Sequence, residues 1–159
     1  MARATGLNQP WTARGNADAV FASTLAIAEF ALSDRTLLPI HRDELLSIAI
    51  WKWTERDGKW RTRFRSGGAL QLGPDWRKHV NHEHVTPRLK LRRAMLKEPH
   101  RATEILKSAE ACVVTRAEHT LLNLVDDEVN GWDRYREAGV NVYDMATGQP
   151  TILNGEILQ

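Results

Sequence analysis

The sequence predicts an α+β fold, a mostly helical single domain carrying a small antiparallel sheet. Three observations lead there. Between Ala19 and Leu32 the apolar residues Ala19, Val20, Ala22, Leu25, Ile27, Ala28, Phe30, Ala31 and Leu32 recur at helical spacing and cover enough of the surface to suggest a buried helix. Between Lys59 and Ser66 the period changes to two: Trp60, Thr62 and Phe64 alternate with Arg61, Arg63 and Arg65, as in a half-buried strand with a cationic outer face. Thr115 and Glu118 then form a capping box ahead of Leu121, Leu122, Leu124 and Val125. Such a box starts a helix at Arg116, because hydroxyl and carboxylate satisfy two otherwise orphaned amides.

A chain of 159 residues has the length of one ordinary domain with a real core. The domain is assigned to 16–155, behind a flexible arm at 1–15 that mixes Gly, Pro, Thr and Arg without an apolar period. Hydrophobic content of 42% and charged content of 26% are globular values and argue against wholesale disorder. A single cysteine, Cys112, cannot close an intramolecular disulfide, and a reducing, cytoplasmic setting follows. No apolar run approaches the roughly 20 residues that span a bilayer, so no membrane partner is expected. The net charge of +2 conceals a strongly basic stretch from Lys59 to Arg101, which points to a polyanion as partner.

In chain order, Asn16 is placed as N-cap of the first helix, expected at the buried centre of the fold and ending near Ser33 and Asp34. Pro39 closes the next connection, and His41–Gly58 reads as a second helix or as a helix merging into an edge strand. After the Arg-striped strand, Gly67 and Gly68 permit a turn, with Ala69–Leu72 as a continuing strand. Val80–Thr86 is extended up to Pro87, because the residue before proline avoids the helical region. A short basic helix follows over Arg88–Leu96, then a helix from Arg101 to Glu110 and an apolar strand over Ala111–Val114. The capped helix is expected to run on to Asn130 and Gly131. A further helical piece holds Trp132 and Tyr135 and stops at Gly139. Val140–Tyr143 and Thr151–Leu153 form a terminal hairpin, followed by a polar tail.

The chemistry concentrates between Val80 and Asn123. In Asn81-His82-Glu83-His84-Val85-Thr86-Pro87 an extended backbone sends Glu83 to one face and His82 and His84 to the other. On the capped helix His119 and Asn123 are four apart and share a face. Glu83, His119 and Asn123 together make an oxygen, nitrogen and oxygen donor set suited to a divalent metal ion (Mg2+, Mn2+, Ni2+ or Zn2+). The bland alternatives are a surface acid and histidine in a turn, a solvated arginine stripe, and an inert Cys112 thiol in an apolar strand.

Glu83-His84-Val85-Thr86-Pro87 resembles the acidic-His-hydrophobic-x-Pro opening of HNH (ββα-metal, His-Me finger) endonucleases. Val113–Asn123 is similar to the second strand and metal-binding helix of that family. The resemblance covers about a quarter of the chain. It implies an embedded ββα-metal-like motif at 80–130, with His84 as general base and Glu83, His119 and Asn123 as metal ligands; the residues themselves add His82 as a candidate active-site neighbour and Asn81 as a candidate partner for His84. It also implies hydrolysis of nucleic-acid phosphodiester bonds, DNA in the first place. Arg61, Arg63, Arg65, Arg88, Arg92 and Arg93 would then hold flanking phosphates, and a homodimer would suit a double-strand cutter. Where the family carries an orienting Asn before its second strand, this chain has Ala109, Glu110 and Ala111. Two alternatives stay open: a non-catalytic nucleic-acid-binding protein on the same scaffold, and a small interaction domain with a structural metal site.

Overall fold

The period-two stretch does form a strand, but only through its last three residues, β1 (Phe64–Ser66). In the computed structural model, which describes residues 6–154, β1 is the middle strand of a five-stranded sheet. The others are β2 (Val80–His84), β3 (Ala111–Thr115), β4 (Val142–Asp144) and β5 (Gln149–Ile152), in the order β2-β3-β1-β4-β5. The first five residues of the predicted arm, residue 155 of the predicted domain and the tail beyond it lie outside the described residues.

The chain is α+β, and its sheet is mixed rather than antiparallel as expected. β2–β3, β1–β4 and β4–β5 are antiparallel, whereas β1 and β3 run parallel with Phe64 opposite Cys112. Local patterning shows that a strand forms and which face it buries; it carries no information on which distant strand it meets.

The helices among the described residues are α1 (Ala17–Ser33), α2 (Pro39–Thr54), α3 (Gly67–Leu70), α4 (Arg88–Lys97), α5 (Ala102–Lys107), α6 (Arg116–Leu124) and α7 (Gly131–Glu137). The chain falls into two compact units. Of the described residues, one takes 6–12, Trp60–Val85 and 111–154; the other takes Ala13–Lys59 and Thr86–Glu110.

The second unit contains α1, α2, α4 and α5 around a core that includes Ala28, Ala31, Leu46, Ile50, Trp53, Leu91, Met95 and Leu106. Pro39 starts α2, where its missing N–H interrupts no helical bond. The ambiguous end of the second helix stays helical through Thr54. α1 departs from the buried centre expected of it: it buries only Thr24, Ala28 and Ala31, and Phe30 is 52% exposed. Small inward residues let α2 approach closely along one side and leave the wide apolar stripe partly in solvent.

The first unit holds the sheet. Cys112, Val114, Leu122, Tyr135, Val140, Val142 and Ile152 form one apolar cluster. Leu7, Ala69, Trp76, Val80 and Val113 form another. Alternation along β3 assigns them to opposite faces. Residues 7–11, read from sequence as part of an arm, lie against this unit: Leu7 is buried, and the Trp11 amide donates to the Met145 carbonyl at 2.9 Å.

Two local expectations are corrected. The strand predicted over Ala69–Leu72 is instead the single turn α3, capped by Ser66 Oγ, which accepts from the Ala69 amide at 3.0 Å. The helix begun by the capping box ends at Leu124, well short of Asn130, because Val125 turns extended and Asp126 draws the Glu128 amide into a local turn at 2.8 Å. The box itself forms with both reciprocal bonds.

Glu118 does more than cap. Besides accepting from the Thr115 amide at 2.8 Å, it accepts from Ser66 Oγ at 2.5 Å and from the Gly68 amide at 3.1 Å. A Cβ on Gly68 would stand 2.6 Å from Glu118 Oε1, so glycine is what allows the carboxylate its place.

At the other side of the sheet Arg63 grips Asp144 through two bonds, Nε to Oδ1 at 2.8 Å and Nη2 to Oδ2 at 2.6 Å. That bonding holds the Asp144 carboxyl below its ordinary value. A depressed folded-state pKa means the contribution is complete above the unfolded value of about 3.9 and is lost as pH falls through the folded one. Acid titration of stability followed by circular dichroism is therefore expected to lose an acid-side component in Asp144→Asn, and an unchanged profile would show the pair to be inconsequential.

Candidate functional site

Pairing of β2 with β3 sets Asn81 opposite Val114, His82 opposite Val113, Glu83 opposite Cys112 and His84 opposite Ala111. Asn81 and Glu83 therefore share the face of Cys112 and Val114, where Leu122 of α6 packs, while His82 and His84 share the other. The imidazoles of His82 and His84 meet edge to face at 5.3 Å, and both residues are buried, His84 to 6% exposure.

Since β3 runs directly into α6 through the Thr115 cap, the first turns of that helix lie beside the end of β2. His119 Nδ1 is 2.5 Å from Glu83 Oε2. One turn on, Asn123 Nδ2 is 3.1 Å from His119 Nε2. The structure thus brings together three of the four principal residues, Glu83, His119 and Asn123, and the strand register sends the ring of His84 to the opposite side of the sheet.

A fourth member of the group comes from α7. Arg134 is 6% exposed. Its Nη1 donates to Glu83 Oε1 at 2.9 Å, its Nη2 approaches Asn123 Oδ1 at 3.4 Å, and its Nε donates to the Leu122 carbonyl at 3.1 Å. The four side chains close a ring with one consistent assignment of protons. Arginine can only donate and an ionised carboxylate only accept. His119 therefore places its proton on Nδ1 toward Glu83 and leaves Nε2 to accept from the Asn123 amide.

Glu83 is almost enclosed, with 10% of its side chain exposed, whereas 36% of the His119 side chain reaches solvent. The ring is therefore anchored inside and accessible at His119 and Asn123. A histidine whose Nδ1 is fixed by a buried carboxylate is held in one orientation, and here its Nε2 meets the Asn123 amide at the exposed rim of the ring.

Among the described residues no three His, Cys, Asp or Glu side chains cluster for a metal ion. A metal here would draw on Glu83, His119 and the amide oxygen of Asn123. Their donor chemistry fits a divalent cation, and Glu83 and His119 would exchange their mutual hydrogen bond for it. Burial pushes the Cys112 thiol well above its ordinary pKa, which keeps it protonated and inert.

The arginines expected to bind phosphate fare differently. In the first unit Arg61 is exposed and Arg63 is engaged with Asp144. Arg65 is a correction to the exposed cationic stripe: it is 3% exposed and donates to the carbonyls of Leu7 and Gln9. Burial takes it because the strand lies mid-sheet, with both faces covered. In the second unit Arg88 lies over the Trp51 ring at 4.8 Å, Arg92 donates to Ser47 Oγ at 3.0 Å, and Arg93 is exposed.

Sequence reasoning missed Arg134 and the wider role of Glu118. A weak signal for Arg134 existed: it is three positions from Gly131 and four from Ala138, small residues on its side of the helix, whereas Arg136 falls elsewhere. No protein-family model, curated protein or solved structure matches the chain.

Proposed function

We propose that the chain is a metal-dependent HNH-like endonuclease that hydrolyses nucleic-acid phosphodiester bonds, with DNA as the first substrate to test. The observation that carries this reading is the strand–strand–helix succession β2, β3, α6, in which Glu83 at the end of the first strand meets His119 and Asn123 on the helix. The same order of elements is what the Glu83–Pro87 and Val113–Asn123 resemblance implies.

Glu83, His119 and Asn123 would hold the divalent ion. Once bound, it would supply stabilisation of charge on the phosphorane-like transition state and the leaving oxygen. Arg61, exposed in the unit that holds the site, would contribute a salt-sensitive contact to a flanking phosphate. The resemblance gives the general-base role to His84, but its ring is buried beside His82 on the face of β2 opposite Glu83, which makes the imidazole of His119 the necessary comparison in any test.

Plasmid and single-stranded DNA are incubated with the protein and Mg2+, Mn2+, Ni2+ or EDTA. Cleavage is expected with metal and absent with EDTA, and loss of the base is expected to lower the rate about 100-fold or more. His84→Ala and His119→Ala are compared to show which imidazole the reaction needs. Salt-sensitive binding without cutting would make the chain a nucleic-acid-binding protein on the same scaffold. A wild type that neither cuts nor binds removes both readings.

A further inference from the structure

We infer that Arg134 is a positioning residue of this site: in the metal-free protein its guanidinium holds the Glu83 carboxylate in the orientation that meets His119 Nδ1 and leaves Nε2 to the Asn123 amide. The designation as a site residue rests on the endonuclease reading; the geometry does not.

Arg134 joins the pieces that must stay in register. Nη1 donates to Glu83 Oε1 at 2.9 Å and reaches the His84 carbonyl at 3.5 Å, both at the end of β2. Nε donates to the carbonyl of Leu122 and Nη2 approaches Asn123 Oδ1, both near the end of α6. The Leu122 carbonyl belongs to the last turn of its helix, where carbonyls lack intrahelical partners. A planar fork meets these acceptors together; a lysine ammonium is a single point charge and cannot.

Stability alone does not call for such a pair. Two apolar side chains of similar volume would join β2 to α7 without taking a carboxylate and a guanidinium out of water. Such a replacement would not keep one carboxylate oxygen occupied by arginine and the other directed at His119. With Oε1 engaged at 2.9 Å, Oε2 is the oxygen left for Nδ1, and the ring closes through Asn123.

The test is nitrogen-detected NMR of the histidine rings of the full-length protein at neutral pH, in wild type, Arg134→Gln and Arg134→Lys. Mn2+ binding and plasmid cleavage are measured in parallel, and circular dichroism monitors folding. Wild-type His119 is expected as the Nδ1–H tautomer with a proton protected from exchange. Loss of a charge-assisted bond is expected to raise that exchange about tenfold or more in Arg134→Gln, and Arg134→Lys should restore part of the protection. Should Arg134→Gln fail to fold, the comparison of wild type with Arg134→Lys decides, since weakened protection in a folded protein is still required. An unprotected or Nε2–H tautomer in wild type overturns the inference, as does protection unchanged in both variants. A wild type with the expected signature that neither binds Mn2+ nor cuts DNA removes the endonuclease reading and leaves the positioning role standing. Cleavage and tautomer both unaffected by the substitutions remove the positioning role alone.

Discussion

Glu83→Ala is expected to destabilise the protein by about 3–5 kcal/mol, the usual cost of removing one partner from a buried ion pair. Arg134 would remain 6% exposed with its principal anionic acceptor gone, and the Nδ1–H of His119 would lose its acceptor at the same time. The uncompensated charge, more than the lost contacts, sets the size of the effect. Removing both charges in Glu83→Leu with Arg134→Leu is expected to recover most of the loss, because neither ion is then left buried alone. Urea unfolding followed by circular dichroism measures both variants against wild type. A loss under about 1 kcal/mol in Glu83→Ala would mean that the pair behaves as a solvated surface bridge, and the enclosed ring would have to be abandoned.

Glu118→Ala is expected to cost about 2–4 kcal/mol, from a lost cap of about 1 kcal/mol and a buried hydroxyl left without its acceptor at about 1–3 kcal/mol. The carboxylate receives the Thr115 amide, the Gly68 amide and Ser66 Oγ, and Ser66 is fully buried. Three segments therefore depend on one side chain: the end of β1, the start of α3 and the start of α6. Glu118→Gln, which keeps one accepting oxygen, should fall between the two. Amide exchange at Gly68 and Thr115 should accelerate in Glu118→Ala beyond the change in global stability. An unfolding free energy within about 0.5 kcal/mol of wild type would place Glu118 among ordinary surface residues.

Much of the candidate site was legible. The Thr115–Glu118 box acts within four residues, and it placed His119 and Asn123 on one face of a helix with a known start. Pro87 ended the strand that carries Glu83. What could not be read was the use of the second strand face: the alternation that separates Glu83 from His84 was anticipated, but which of them would meet α6 depends on register with β3. Nor could Arg65 be distinguished from Arg61. Both occupy the same period-two stripe, and only the position of β1 in the middle of the sheet buries one of them.

By itself the sequence determined the helices and turns whose causes are local. The helix read from His41 forms as α2, begun two residues earlier at Pro39, the basic amphipathic run over Arg88–Leu96 makes α4, and the terminal hairpin forms around Gly148. It also determined the order of strand, strand and capped helix that carries Glu83, His119 and Asn123. Tertiary structure alone decided the parallel pairing of β1 with β3, the two compact units, and the arrival of Arg134 at Glu83 across 51 residues of chain. The physical reason is range. Caps, prolines and periodicity act over a few residues and leave a mark in the local sequence, whereas a buried guanidinium chooses its carboxylate by the free energy of the whole folded unit.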